Sequence, residues 1–277
     1  MSLSINTDIV SSSNPSFALL KKMAEKGFEF IEWNQHWNTD YLYNRYEIDE
    51  IKNRIKEYNI KLNSLHASIG VEKQWFSENE YQRKGGVELV KNRVEMTAEL
   101  GGDVIILHPF KTLDPELYNI HFKQGLKSLK DLKDVCKNTG VKIALENLTL
   151  LDTFTTIEKY FDNLDNNFLG FCWDTGHSNN IASEALDYVE KFAGERLIAL
   201  HINDNKGDGR DLHKIPFFGT VNWERTARII AESTYSKEKP FTLEIKEYMD
   251  EMSLDLLLDT AREKGLLFKD MVNNYRK

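Results

Sequence analysis

Short apolar runs alternate with longer amphipathic stretches along the whole chain. Eight runs stand out: LSIN (3–6), FEFIEW (28–33), KLNSLH (61–66), DVIILHP (103–109), KIALEN (142–147), LGFCWD (169–174), LIALHIND (197–204) and FTLEI (241–245). Between them, apolar positions recur at helical spacing. Phe17, Leu20 and Ala24 share a face in 17–27, and Val87, Val90, Val94 and Ala98 do so in 87–100. Phe122, Leu126, Leu129 and Val135 line up in 116–139, and the theme returns in 223–231 and 252–264. Glycines close several of these stretches (Gly27, Gly101, Gly140), as expected at helix ends. Strands that alternate with helices form a parallel sheet. Eight such units predict a closed (β/α)8 barrel, an α/β fold, with residues 1–277 as one domain. An open doubly wound sheet is the alternative, but no G-x-G-x-x-G turn follows the first run.

The polar residues fall where such a barrel carries its chemistry, at the C-terminal strand ends. Successive runs end in Glu32, His66, His108, Glu146 with Asn147, Asp174 with His177, His201 with Asp204, and Glu244. Asp211 and His213 follow the seventh run in its loop. Of seven histidines, only His36 and His121 lie elsewhere; His121 reads as a structural residue, and His36 has either a structural or a substrate-loop role. Alternation supports the reading. If Ile143 and Leu145 face the helices, Glu146 faces the mouth. By the same parity Ile198, Leu200 and Ile202 point outward and His201 inward. Phe241, Leu243 and Ile245 point outward and Glu244 inward, and His108 opposes Ile105 and Leu107. Carboxylates crowded at one mouth repel, and a buried unpaired charge costs several kcal/mol. Cations resolve this, and mixed His, Asp and Glu donors suit Zn²⁺, Mn²⁺, Fe²⁺ or Co²⁺.

Composition narrows the partners. The chain is 41% hydrophobic with a formal net charge of −8 spread along its length. Its Lys-rich segments, KKMAEK and KSLKDLKDVCK, read as solvated helix faces, so the sequence argues against a nucleic-acid partner. No apolar run reaches membrane-spanning length, and MSLSINTDIV lacks the features of a signal peptide. Two cysteines, Cys136 and Cys172, have no metal-type spacing, so a reduced cytoplasmic setting is expected, with Cys172 a core thiol.

Several segments resemble the xylose isomerase-like TIM barrels, a superfamily of sugar (phosphate) isomerases and epimerases that also holds the endonuclease IV type of abasic-site nuclease. They are LENL (145–148), CWDTGH (172–177), HINDN (201–205) with DLHKIPFFGTVNW (211–223), and LEI (243–245). In the epimerases one divalent metal is held by four residues, matched here by Glu146, Asp174, His201 and Glu244. The resemblance implies that Glu146 and Glu244 also move the substrate proton through an ene-diolate, and that His177 contacts substrate. In the nuclease branch three zinc ions use nine ligands. They add His66, His108, His177, Asp211 and His213 as candidates for further metal, and all nine residue types are present.

Other features favour a sugar. The loop WNQHWNTDYLYNRYE is aromatic rather than basic, and ASIGVEKQWFSENEYQRKGG is mixed. The turn after His213 reads PFFG, where Phe217 and Phe218 replace small residues and are expected to narrow the pocket. The epimerases' substrate arginine, six residues past the histidine, is absent; Gly207 stands there, and Arg210 is the candidate substitute. Glu32 is expected among the substrate contacts, and His66 and His108 are expected to bond substrate hydroxyls rather than hold a metal. Lys206, Arg210 and Lys214 are candidate phosphate anchors, with solvated loop charge as the plainer reading. The resulting expectation is a metal-dependent sugar or sugar-phosphate isomerase or epimerase. A zinc phosphodiesterase acting on abasic DNA is the alternative, and the sequence leaves a homo-oligomer open.

Overall fold

A computed structural model describes residues 2–10, 17–165, 167–181, 184–246 and 252–276. The strands are β1 (Leu3–Asn6), β2 (Phe30–Trp33), β3 (Lys61–His66), β4 (Val104–Leu107), β5 (Lys142–Glu146), β6 (Leu169–Asp174), β7 (Leu197–Ile202) and β8 (Phe241–Leu243). Each pairs parallel with the next, and β8 pairs with β1 to close the barrel. The helices are α1 (Phe17–Glu25), α2 (Arg45–Glu57), α3 (Glu80–Glu99), α4 (Pro115–Thr139), α5 (Leu151–Asn163), α6 (Thr175–Asn179), α7 (Glu184–Arg196), α8 (Trp223–Glu232) and α9 (Leu254–Tyr275). Among the described residues no helix is long and apolar enough to cross a membrane.

Strand alternation divides the core in two. Ile105, Leu107, Ile143, Leu145, Leu200, Ile202, Phe241, Leu243 and Ile245 belong to the large outer core against the helices. Val104, Ile106, Ala144, Cys172 and Ala199 form a separate small cluster inside the barrel. The inner side chains are mostly small because a barrel of eight strands leaves little room at its axis. One more step along these strands on the same parity brings Glu146, Asp174 and His201 to the mouth.

Ile198 departs from the expected outward position. The pairing of β6 with β7 slips there, with Phe171 opposite Leu197 but Cys172 opposite Ala199. The extra residue, Ile198, packs against the interior cluster instead. Gly170 makes the room, since a Cβ on it would stand 2.6 Å from Ile198 Cδ1. The bulge matters because it sets the phase of the rest of β7: Ala199 and His201 face in, Leu200 and Ile202 face out.

Helices α2, α5, α6 and α7 are additional to the stretches singled out in the sequence. In α2 the apolar stripe is Ile48, Ile51 and Ile55, hidden in an otherwise polar segment and started by an Asn44–Glu47 capping box. Helix α3 begins seven residues before the expected 87, because its first two turns, EYQRKGG, are polar. There Gly86 lies against the main chain of residues 73–75, and a Cβ would stand 2.6 Å from the Gln74 carbonyl carbon. Gly86→Ala should therefore destabilise the protein by about 1–3 kcal/mol, the usual range for overpacking, despite the better helix propensity of alanine. Urea unfolding is the measurement, and an unchanged or raised midpoint would refute this account of the contact.

Candidate active site at the barrel mouth

Asp174 ends β6 and is also the N-cap of α6, accepting a hydrogen bond from His177 N at 2.6 Å. This turn explains the spacing in DTGH: the short helix returns the His177 ring to the mouth. The other side of the mouth comes from the segment after β7, which doubles back through an antiparallel bridge between Asp204 and Lys214. His213 sits in that return with φ of 44°, an uncommon backbone for a non-glycine residue. Its Nδ1 lies 3.1 Å from the Glu244 carbonyl oxygen.

Four side chains converge. One donor atom each from Glu146, Asp174, His201 and Glu244 lies within 4.8 Å of all the others. His201 Nδ1 is 2.9 Å from Glu244 Oε2, 3.3 Å from Glu146 Oε1 and 4.0 Å from Asp174 Oδ2. Yet His201 Nδ1, Glu146 Oε1 and Glu244 Oε2 are buried without a properly directed hydrogen bond. Three orphaned polar atoms aimed at one point fit a cation, because buried donors and acceptors otherwise find partners. The ligand chemistry, one imidazole and three carboxylates, suits a divalent metal.

A second group lies beside the first. His108 Nε2 is 3.0 Å from Glu146 Oε2 and 3.1 Å from His66 Nε2. His66 Nδ1 donates to the Ala67 carbonyl at 3.0 Å, which leaves its Nε2 facing the group. On the far side, Asp211 spans two imidazoles, with Oδ2 3.2 Å from His177 Nε2 and Oδ1 3.0 Å from His213 Nε2. Donor atoms of His66, His108 and Glu146, and of Asp174, His177 and His213, form two further sets with metal-ligand proximity. The nine sequence candidates for metal thus come together at one mouth, Asp211 by its contacts with His177 and His213, with Glu146 and Asp174 each shared between the four-residue group and one of these sets.

Charge is balanced locally. Burial opposes ionisation of Glu146, but His201 and His108 outweigh it and hold the carboxyl well below the ordinary range. Glu244 follows the same pattern through His201 and His213. Burial opposes the imidazolium forms of His177 and His201, but surrounding carboxylates raise both well above the usual histidine value. Asp174 is pushed by burial up to about 7, and His66 down to about 4.

Other expected site residues lie elsewhere in the arrangement. Glu32, expected among the substrate contacts, is fully buried beneath His201. Its carboxylate accepts from Ser64 Oγ at 2.6 Å, Asn34 Nδ2 at 3.0 Å and His201 Nε2 at 3.1 Å. Arg210 is largely exposed and pairs with Asp208, its Nε 3.0 Å from Oδ2. Phe217 does not narrow the mouth; it packs on Trp223, centroids 5.1 Å apart, outside the barrel, and Phe218 is half exposed. His36 stacks on Tyr41, while its neighbour Trp37 is the residue that stands against His66 and His108. The sequence does not single out Ser64, Asn203 or Trp37, although Asn203 lies within the HINDN motif and Trp37 within the loop whose aromatics suit stacking on sugar faces.

The comparisons with known proteins agree with this fold. A family model described as xylose isomerase-like TIM barrel matches residues 20–264. The uncharacterized protein y4fM of Sinorhizobium fredii is 29% identical, covering 93% of this chain and 89% of that protein. A probable endonuclease 4 of Ureaplasma urealyticum serovar 10 is 30% identical over 67% of this chain and 66% of that protein. Among solved structures, a D-tagatose 3-epimerase-like protein superposes with a TM-score of 0.80 at 22% identity, covering 99% of both chains. The IOLI protein with a bound zinc atom gives 0.78 at 18% identity, again over 99% of both.

Two outcomes are expected. Glu32→Gln should weaken metal binding about 10- to 100-fold, because the carboxylate orients the His201 ring and raises its basicity. Competition with a chromophoric chelator measures it, and undiminished affinity would remove Glu32 from this role. Metal uptake at neutral pH should also release a proton, because His201 is held protonated by its surroundings and a ligand imidazole must be neutral. Affinity should accordingly rise with pH through that raised value. Calorimetry in two buffers of different ionisation enthalpy reads the proton count, and a count of zero would contradict the charge balance described.

Proposed function

Because this chain belongs to the xylose isomerase-like TIM barrel family, we propose that it is a divalent-metal-dependent isomerase or epimerase of a sugar or sugar phosphate. The observation that carries the reading is the convergence of three orphaned buried atoms, Glu146 Oε1, His201 Nδ1 and Glu244 Oε2, beside Asp174. These four residues would hold the cation. When bound, it supplies Lewis-acid polarisation of a substrate carbonyl, which acidifies the adjacent C–H.

The chain's own groups do the rest. Glu146 enters from β5 and Glu244 from the end of β8, so the two carboxylates approach the substrate from different sides of the barrel. One would take the proton from the carbon next to the carbonyl and the other return it, which inverts that carbon or relocates the carbonyl. Glu32 fixes the His201 ring, and Asn203 Nδ2 holds Asp174 Oδ2 at 2.6 Å, so neither ligand must reorganise. His177 and His213 line the remaining side and are suited to bond substrate hydroxyls. The solved structures of sugar epimerases with this fold support the substrate class.

One observation favours a second reading. Eight of the nine candidate ligands fall in groups with metal-ligand proximity, the ninth, Asp211, lies 3.2 Å from His177 Nε2, and several relatives are named probable endonuclease 4. A phosphodiesterase acting on abasic DNA would use the same mouth. Against it stand the acidic net charge and the aromatic loop after β2.

At matched metal occupancy, Glu146→Gln and Glu244→Gln should each slow turnover of an active ketose by about 10²–10⁴-fold, since glutamine can fill the space but cannot accept the proton. Solvent-deuterium exchange into D-fructose, D-tagatose and D-psicose tests this, alongside incision of an abasic duplex. Full exchange in both variants would eliminate the two-glutamate scheme. Metal-dependent incision without ketose turnover would replace the sugar reading with the second one.

A further inference from the structure

Trp37 occupies a position that the proposed chemistry leaves unused. Of the five tryptophans, Trp33, Trp75, Trp173 and Trp223 are each 7% exposed or less, whereas Trp37 is only partly covered. Its ring stands over the mouth, its centroid 4.9 Å from that of His66 and 5.3 Å from that of His108. It therefore borders the group formed by those imidazoles and Glu146.

The loop that carries it is held in place from three directions. Gln35 Nε2 donates to the Thr7 carbonyl at 3.1 Å, tying the loop to the segment after β1. Ile69 N donates to the Trp37 carbonyl at 2.9 Å, and the Asp40 carboxylate accepts from the backbone N–H groups of Val71, Glu72 and Lys73, tying it to the segment after β3. Arg93 of α3, fully buried, donates to the Tyr41 carbonyl at 3.0 Å and lies 4.4 Å over the Tyr43 ring. So many bonds hold the indole where it is before any ligand arrives, and preorganisation of this kind lowers the entropic cost of binding.

We propose that Trp37 is a specificity-determining residue that receives an uncharged, C–H-bearing face of the sugar on the His66–His108 side of the mouth. The inference rests on the sugar isomerase or epimerase reading above. Its physical basis is the indole itself. The ring face is apolar and carries the negative side of the aromatic quadrupole, so it attracts polarised C–H groups and repels an anion. Imidazoles within about one residue's reach supply partners for the hydroxyls at the edge of that same face. A phosphorylated substrate would consequently carry its phosphate away from Trp37.

The test uses the full-length protein loaded with Zn²⁺, titrated calorimetrically with D-fructose, D-tagatose and D-psicose. Trp37→Leu keeps apolar bulk without a π face, and Trp37→Phe keeps a ring. For the ketose that binds, Trp37→Leu should lose about tenfold in affinity, the scale of one aromatic contact, while Trp37→Phe keeps most of it. Metal content and thermal midpoint should match the wild type in both. Ketose binding should also quench wild-type tryptophan emission, and the quenching should vanish in Trp37→Phe although binding persists. Wild-type ketose affinity in Trp37→Leu overturns the inference and leaves the sugar reading standing. Loss of metal in Trp37→Leu also overturns it, making the indole a shield for the metal group. If no ketose binds the metal-loaded wild type, the sugar reading itself fails and the inference with it.

Discussion

The Glu146 carboxylate is the group on which the rest of the mouth depends. One oxygen faces His201 and His177, and the other faces His108 and His66. It is fully buried, so its charge must be met on every side, and the residues that meet it come from β3, β4, β6 and β7 or from the turns just beyond them. A single desolvated charge thereby fixes where four strand ends must stand relative to β5. The same constraint explains the density of histidine here: each imidazole can be a cation for a carboxylate, or, neutral, a ligand for a metal.

Around that group lies a shell that orients without reaching the mouth. Glu32 turns the His201 ring, with Ser64 and Asn34 fixing Glu32 in turn. Asn147 Oδ1 accepts from Asp174 N at 2.8 Å, and its Nδ2 donates to the Asp174 carbonyl at 3.0 Å, locking the end of β6 to the end of β5. Asp204, buried below the return segment, accepts from Val221 N and Trp223 Nε1, both at 3.0 Å. It therefore holds the turn that delivers His213. Most polar atoms of this shell find partners within it, Asn34 Oδ1 being an exception, whereas at the centre three unsatisfied atoms gather in one place.

Much of this was legible along the chain. The inward parity of Glu146 and Glu244 follows from alternation, because a strand must send successive side chains to opposite faces, and the closure follows from the count of eight strand–helix units. The strand-end carboxylates and imidazoles were recognisable as a set because their crowding makes no sense without cations or counter-charges.

Other features belonged to the tertiary structure. Ile198 reads as an outward residue, and only the slip between β6 and β7, permitted by Gly170, turns it inward. Glu32 reads like any other strand-end carboxylate. That it lies beneath His201 depends on the shifted register of β2 against β3, where Glu32 pairs with Ser64. His36 and Trp37 are adjacent in a loop without periodicity. Which of the two rings meets the mouth was decided by the left-handed backbone at His36 and by the bonds from Thr7, Ile69 and Arg93. Periodicity governs what a regular element does with its own side chains. Register slips, loop conformations and contacts between distant segments are settled only when the barrel closes and those segments compete for the same space and the same hydrogen-bond partners.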